Sequence, residues 1–355
     1  MSKPARQDNQ PISIGGVEVR PGERRRLELE VGRFYTYTPT TMPIQVICGK
    51  RAGPVMFVSA AIHGDELNGV EIIRRLLRVP QLDRLRGTLM AIPIVNLYGF
   101  INTSRYLPDR RDLNRSFPGS NSGSMAARIA ELFMREIVRR CDYGIDLHTG
   151  AIHRSNLPQI RANLDHVETL ELARAFGTPV ILNSETRDGS LRASAASVGV
   201  PILLYEAGEA LRLDELCIRG GVEGILRVMR ALGMLRGSRR KSPPEPIVAR
   251  SSAWVRAPQS GVFRAYVGLG ERVMRDQSVL GAVSDPFGER EREIRAPFSG
   301  IVIGRLNLPL VNEGDAIFHV ARFHRTDVAV ERIEDYQESM EADDFPWTDG
   351  PNESR

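Results

Sequence analysis

The 355-residue sequence predicts an α/β domain built on a mixed, largely parallel sheet with helices on both faces, followed by a smaller all-β unit. Between residues 55 and 232, apolar runs of strand length alternate with amphipathic stretches at helical spacing, the order that layers helices over a parallel sheet. The chain is longer than one hydrophobic core usually serves, so more than one unit is expected. Near the C-terminus, Arg256-Ala257-Pro258-Gln259-Ser260-Gly261-Val262 returns 39 residues later as Arg295-Ala296-Pro297-Phe298-Ser299-Gly300-Ile301. Residues 273–279 match 311–317 after one deletion, so the second unit is a duplicated β hairpin forming a small sandwich.

Residues 1–40 read as an N-terminal β segment, a polar start followed by short strands, with Gly15-Gly16 and Pro21-Gly22 as turns beside the charged run ERRRLELEV. Residues 41–236 form the α/β domain, opening with MPIQVIC, a strand expected at the edge of the sheet. The strand VMFVSAA then breaks at Ile62 into His63-Gly64-Asp65-Glu66 and an amphipathic helix, ELNGVEIIRRLL. A buried strand over 87–95 stops at Asn96. Residues 96–119 have no hydrophobic period but many polar groups, and long irregular segments in compact domains are usually functional.

Ser124 is placed as the N-cap of the helix SMAARIAELFMREIVRRC, which leads into the strand YGID and the sequence Asp146-Leu147-His148-Thr149-Gly150. The stretch GAIHRSNLPQIRANL reads as a polar loop. A helix over 165–176, a short strand over 179–182 and the small-residue segment GSLRASAASVG follow, with Arg192 the only charge in the last. PILLY delivers Glu206 at another strand end, and a helix over 214–232 closes the domain. The segment 237–245 is a linker, 246–323 holds the β unit, and 324–355 is an acidic tail poor in core material, frayed or docked.

Composition narrows the function. With 42% apolar and 26% charged residues the chain is an ordinary globular protein. No apolar run has the length of a membrane helix and the start lacks the apolar core of a signal peptide, so the expectation is a cytoplasmic protein with no membrane partner. Residues 325–355 hold ten acidic and three basic side chains, which leaves the rest near +11 against a net charge of +4. A basic body suits anionic substrates. Its arginines are scattered over helix faces without interleaved aromatic residues, which argues against nucleic acid. Cys48, Cys141 and Cys217 are few and far apart, so they indicate neither a disulfide framework nor a thiolate metal site. A homo-oligomer is compatible with all of this.

The chemistry gathers at strand ends. His63 and Glu66 stand three residues apart where a strand gives way to a helix, so both can point at one centre. His148 ends a second strand, and strand carboxyl ends in an open α/β sheet share one crevice. Two histidines and one carboxylate suit Zn²⁺ and leave a tetrahedral position for water, whereas a lone strand-end histidine is more often a structural residue. Asn96 and Glu206 end strands in the same way and are placed at the same rim, with no obvious charge partner for Glu206. Asp146 is read as a buried hydrogen-bonding group facing away from the centre. Asn114 and Arg115 suit a carboxylate, because guanidinium offers a bidentate fork and the amide one more donor, and Arg105 can face an oxyanion.

His63-x-x-Glu66, Arg105, Asn114-Arg115, His148 and Glu206, carried by the stretches HGDE, DLNRSFPG, DLHTG and EAGE, resemble the zinc carboxypeptidase superfamily in its succinylglutamate desuccinylase/aspartoacylase branch. The resemblance spans about residues 40–235. It implies that His63, Glu66 and His148 bind one Zn²⁺, that Glu206 is the general base, that Arg105 polarises the scissile carbonyl, and that Asn114 and Arg115 hold the substrate carboxylate, with Arg192 as a looser match to a second substrate arginine. The implied activity is hydrolysis of the amide of a small anionic N-acyl amino acid. A peptide-trimming carboxypeptidase and a non-catalytic binding protein are the alternatives. The repeat unit looks like a biotinyl/lipoyl-type barrel-sandwich, but its turns carry Met274-Arg275-Asp276 and Asn312-Glu313-Gly314 in place of a modifiable lysine, so shaping the active site is the better expectation.

Overall fold

Alternation along the central strands settles which side chain faces which layer. In the computed structural model, which describes residues 8–184, 188–237, 246–249 and 251–341, a short antiparallel ribbon of β1 (Ile12–Ile14) and β2 (Val17–Val19) precedes the main sheet. That sheet begins with β3 (Arg24–Arg33), β4 (Pro39–Cys48), β5 (Arg51–Ala60), α1 (Asn68–Leu76), β6 (Arg86–Ile92), α2 (Leu97–Ile101), α3 (Met125–Glu136) and β7 (Tyr143–Gly150). It continues through β8 (Arg154–Ala162), α4 (Val167–Phe176), β9 (Val180–Asn183), α5 (Leu191–Ser197), β10 (Ile202–Glu209) and α6 (Glu215–Ala231).

Strands β6, β5, β7 and β10 are mutually parallel, and antiparallel pairings flank them: β6 with β4 and β4 with β3 on one side, β10 with β8 on the other. The sheet is therefore mixed, and its parallel character is strongest at the centre. Met56, Val58 and Ala60 of β5, Leu89 and Ala91 of β6, and Ile145 and Leu147 of β7 pack with α1, α4 and α6 on one face. The residues between them, Phe57, Met90 and Ile92, pack with α3 and α5 on the other. This is the two-residue period of a sheet with both faces covered. Ser124 caps α3 by accepting from the Ala127 amide, as its sequence predicts.

Four expectations change. MPIQVIC lies one strand in from the edge, because β3 pairs along β4 and itself forms the edge, with Leu27 and Leu29 turned inward from the charged run. The stretch read as a polar loop is β8, whose polar residues Asn156 and Gln159 are buried inside the protein instead of being solvated. Asn96 caps α2 and donates to the Ile62 carbonyl, so it serves the turn rather than the rim. Residues 324–341 are not poor in core material: α7 (Thr326–Glu341) buries Ala329, Ile333, Tyr336 and Met340, a helical stripe hidden by its acidic surroundings. The segments 238–245 and 342–355, read as linker and tail end, lie outside the described residues.

After β11 (Ile247–Ala249), which extends the sheet beside β9, the first repeat copy supplies β12 (Ser251–Arg256), β13 (Gly261–Ala265), β14 (Arg272–Val273) and β15 (Val279–Ser284). The second supplies β16 (Glu291–Arg295), β17 (Gly300–Leu306), β18 (Leu310–Val311) and β19 (Ala316–Arg322). The copies interlock rather than closing as separate hairpins, since Gly261 of β13 pairs with Val311 of β18 while Gly300 of β17 pairs with Val273 of β14. The turns match too: Ser260 Oγ accepts from the Glu313 amide and Ser299 Oγ from the Arg275 amide. Strand β17 also pairs with β8, so the repeat unit's sheet runs on into the main one.

Phe133 of α3 meets Phe57 edge-on at 5.8 Å and Phe117 at 6.3 Å, tying that helix to the central strand. Phe133→Ala should lower the unfolding free energy by about 3–5 kcal/mol through lost transfer energy and a cavity. A urea midpoint unchanged from wild type would refute that packing role.

Candidate functional site

The turn that carries His63 and Glu66 is fixed by a close approach. A Cβ on Gly64 would lie 1.9 Å from the Gly99 carbonyl carbon, backbone that cannot yield, so only glycine lets the turn sit against α2. On β7, Ile145 and Leu147 face the α1 and α6 layer, which turns Asp146 and His148 to the opposite side. β10 runs parallel with Glu206 in register with His148, and Leu203 and Tyr205 share the α1 and α6 layer, so Glu206 stands on the His148 side.

Glu66 is the centre of the group. Its Oε1 is 2.7 Å from His63 Nδ1 and its Oε2 is 2.8 Å from His148 Nδ1, and all three side chains are buried. The Thr149 amide donates to Oε2 at 3.2 Å. One ligand atom from each of His63, Glu66 and His148 falls within 4.8 Å of the others, so this group can hold a metal ion. The other nitrogen of each ring meets a carboxylate: His63 Nε2 lies 3.2 Å from Asp112, and His148 Nε2 lies 2.7 Å from Asp146. Such carboxylate–histidine pairs fix ring orientation in metal sites. Asp146, which also accepts from Ser59 Oγ at 2.8 Å, is thus buried and hydrogen-bonded as expected but shares the face of His148 rather than pointing elsewhere.

Burial disfavours the charged form of each group, and the pairs overcome it. It works to lower the His63 and His148 values, but Glu66 with Asp112, and Asp146 with Glu66, raise both above the ordinary histidine value. Burial likewise pushes Glu66 upward, yet the two imidazoles hold it far below the usual carboxylate range. Arg105 bridges two acids, with Nη1 3.4 Å from Glu66 and Nη2 3.0 Å from Asp112.

The remaining predicted residues line one cavity of about 260 Å³ with this group: Asn114, Arg115, Arg192 and Glu206. Asn114 Oδ1 accepts from the Leu191 amide at 2.9 Å, which anchors the start of α5, and Arg192 donates to Ser184 Oγ at 3.1 Å. Glu206 Oε2 accepts from Asn156 Nδ2 at 2.8 Å, and its Oε1 lies 3.7 Å from Arg161, so it does have a charge partner. Sequence reasoning missed the parts played by Asp112, Asn156, Arg161 and Trp254. Asp112 stood in the DLNR stretch, but Asn156 and Arg161 were hidden in the supposed loop. Trp254 belongs to the repeat unit and lines the cavity only because β12 folds back beside it.

A parallel α/β core with a buried His–Glu–His group at its strand ends defines the class. The chain belongs to the succinylglutamate desuccinylase/aspartoacylase family, whose catalytic-domain model matches residues 52–232. It is 28% identical over 302 residues to the N-alpha-acetyl-L-2,4-diaminobutyric acid deacetylase of Halomonas elongata, covering 79% of this chain and 85% of that one. In fold it is similar to the product-bound ectoine utilization protein EutE (DoeB) of Ruegeria pomeroyi, with a TM-score of 0.78, 24% identity and coverage of 88% and 99%. A succinylglutamate desuccinylase/aspartoacylase of Rhodobacter sphaeroides gives a TM-score of 0.75 at 24% identity, covering 85% and 96%.

The raised histidines make the metal-free protein lose stability with rising pH. Their contribution is complete below the unfolded value of about 6.5 and disappears as pH climbs through the higher folded values. His319, which burial lowers to about 3, acts in the opposite sense but only below pH 6.5 or so. Thermal midpoints of chelator-treated protein should therefore fall above pH 6.5, and His148→Ala should flatten that slope. A wild-type midpoint that rises over the same range would contradict the pairing.

Proposed function

We propose that the protein is a zinc-dependent hydrolase that cleaves the amide of a small, carboxylate-bearing N-acyl amino acid. The observation that carries this reading is the buried His63–Glu66–His148 group with Glu206 in register beside His148. Two imidazoles and a carboxylate are a donor set that Zn²⁺ accepts, and the carboxylate behind each imidazole is the usual support for such ligands. When bound there, zinc supplies Lewis acidity and makes water a usable nucleophile near neutral pH.

The chain's own residues do the rest. Glu206 takes a proton from the attacking water as the carbon–oxygen bond forms. Arg105 faces the oxyanion that develops on the acyl oxygen. Glu206 then passes its proton to the amide nitrogen as the carbon–nitrogen bond breaks, releasing a carboxylate and an amine. Asn114 and Arg115, helped by Arg192, grip the substrate carboxylate. The same reading assigns 41–236 to the hydrolase domain after an N-terminal β segment, 1–40, and makes 246–323 a barrel-sandwich unit that walls the site, with 324–355 as the tail. A cavity of about 260 Å³ is below the usual ligand-pocket range of roughly 300–1,000 Å³ and favours a small N-acyl amino acid over a peptide. The Halomonas elongata relative, named an N-alpha-acetyl-L-2,4-diaminobutyric acid deacetylase, supports the same substrate class.

Purified protein should bind one zinc, more weakly as pH falls, because protons on His63 and His148 compete with the metal. His148→Ala should lose it, whereas Glu206→Gln should keep it and lose turnover by roughly 10²–10⁴-fold. Near-normal turnover in Glu206→Gln would remove it as base, and loss of zinc there would make it a ligand. For the substrate end, each cleaved acid is compared with its carboxamide. The acid should be preferred by a factor on the order of 10² or more, since a site built to pair charges rejects the neutral analogue. An Arg115→Ala enzyme that keeps the full preference would exclude that grip.

A further inference from the structure

The duplicated β unit contains its own control, because most positions in one copy have a counterpart in the other. Where the second copy touches the catalytic sheet, the counterparts diverge: Gly304 stands where the first copy has Ala265, His319 where it has Gly281, and Asn307 where it has Gly268. On the first copy's side of that junction, Trp254 replaces what is Glu293 in the second. The internal symmetry is thus broken beside β8, where Gly304 pairs with Asn156.

Gly304 has a steric reason. A Cβ there would lie 3.0 Å from Asn156 Oδ1 and 3.1 Å from the His319 Cβ, tighter than side chains ordinarily tolerate. Asn307 clamps the same stretch: its amide donates to the His153 carbonyl at 2.7 Å, and its side chain donates to Ser155 Oγ at 2.6 Å and to Glu209 at 2.7 Å. Trp254 stacks on His319 at 4.7 Å, with the Arg154 guanidinium 5.3 Å from its ring. Asn156 is buried in this frame and gives Glu206 its hydrogen bond at 2.8 Å, whereas Arg161 is 3.7 Å from the other oxygen, too far for one.

We propose that Asn156 is a positioning residue that fixes the Glu206 carboxylate, and that the second repeat copy, through Gly304, seats Asn156. The β unit is then part of the catalytic apparatus and not only its cover. A glutamate has three side-chain torsions to restrain, and a proton acceptor displaced by about 1 Å can cost roughly 10²-fold in rate. A donor on a strand paired on both sides restrains that freedom through Oε2 and leaves Oε1 without a hydrogen bond to Asn156.

The inference rests on Glu206 being the base, so Glu206→Gln is run beside the other variants. Full-length, zinc-loaded enzymes are assayed on N-acetyl-L-2,4-diaminobutyrate, N-acetyl-L-aspartate and N-succinyl-L-glutamate, using whichever the wild type cleaves fastest. Asn156→Leu keeps much of the side-chain volume and removes the donor without adding a buried charge. It should lower kcat about 10–100-fold, with KM within about twofold and zinc content and unfolding midpoint near wild type. Asn156→Ala should lose a similar amount, and Gly304→Ala several-fold, again in kcat. If Asn156→Leu does not fold, Asn156→Ala and Gly304→Ala decide the matter on the same readouts. Wild-type kcat in the Asn156 variants, alongside a collapsed Glu206→Gln, overturns the positioning role alone. Wild-type kcat in Gly304→Ala overturns the seat. Near-normal turnover in Glu206→Gln removes the reading beneath both.

Discussion

A carboxylate buried at 2% exposure, as Glu66 is, would be costly enough to unfold a marginal protein if no cation stood beside it. Much of the site can be read as the answer to that cost. Two imidazoles flank it, a backbone amide donates to it, and Arg105 stands at its edge. Each imidazole then needs its own counter-charge, which Asp112 and Asp146 supply. The result alternates acid and base through one layer, with one ligand atom from each of His63, Glu66 and His148 close enough to the others that the group could hold a metal ion.

That layer sits where it does because of the sheet. Four parallel strands bring their carboxyl ends to one rim, and the two-residue period decides which of their last side chains face it. His148 and Glu206 are neighbours through register and not through sequence, since 58 positions separate them. The helices matter mainly as covers for the two apolar faces, and Gly64 shows how tightly they close on the turn beneath them.

The repeat unit joins this arrangement through one strand pair. Because β17 pairs with β8, the unit's sheet is continuous with the main one, and Gly304 and Asn156 are register partners. A rigid sheet carries position well because its backbone hydrogen bonds and packed side chains leave few alternative arrangements. The repeat's symmetry makes the divergent positions visible: Gly304 stands where the other copy has Ala265, and it is the copy paired with Asn156.

The HGDE and DLHTG stretches, the alternation of apolar runs with amphipathic ones, and the internal repeat are local patterns, so residue order alone determined the fold class, the His63, Glu66 and His148 trio, and the duplicated unit. Patterning failed where burial did not follow polarity. β8 reads as a loop because Asn156 and Gln159 are polar, yet they are buried within the fold. The stripe of α7 escaped notice because four buried residues are spread through an acidic stretch, and burial depends on what packs against them. Asp112 behind His63 comes from the irregular segment before α3, while Arg161 beside Glu206 and Trp254 on the cavity wall come from other strands, and only the folded chain brings them together. Contacts of that kind are long-range in sequence and short-range in space, which is why the tertiary structure alone decided them.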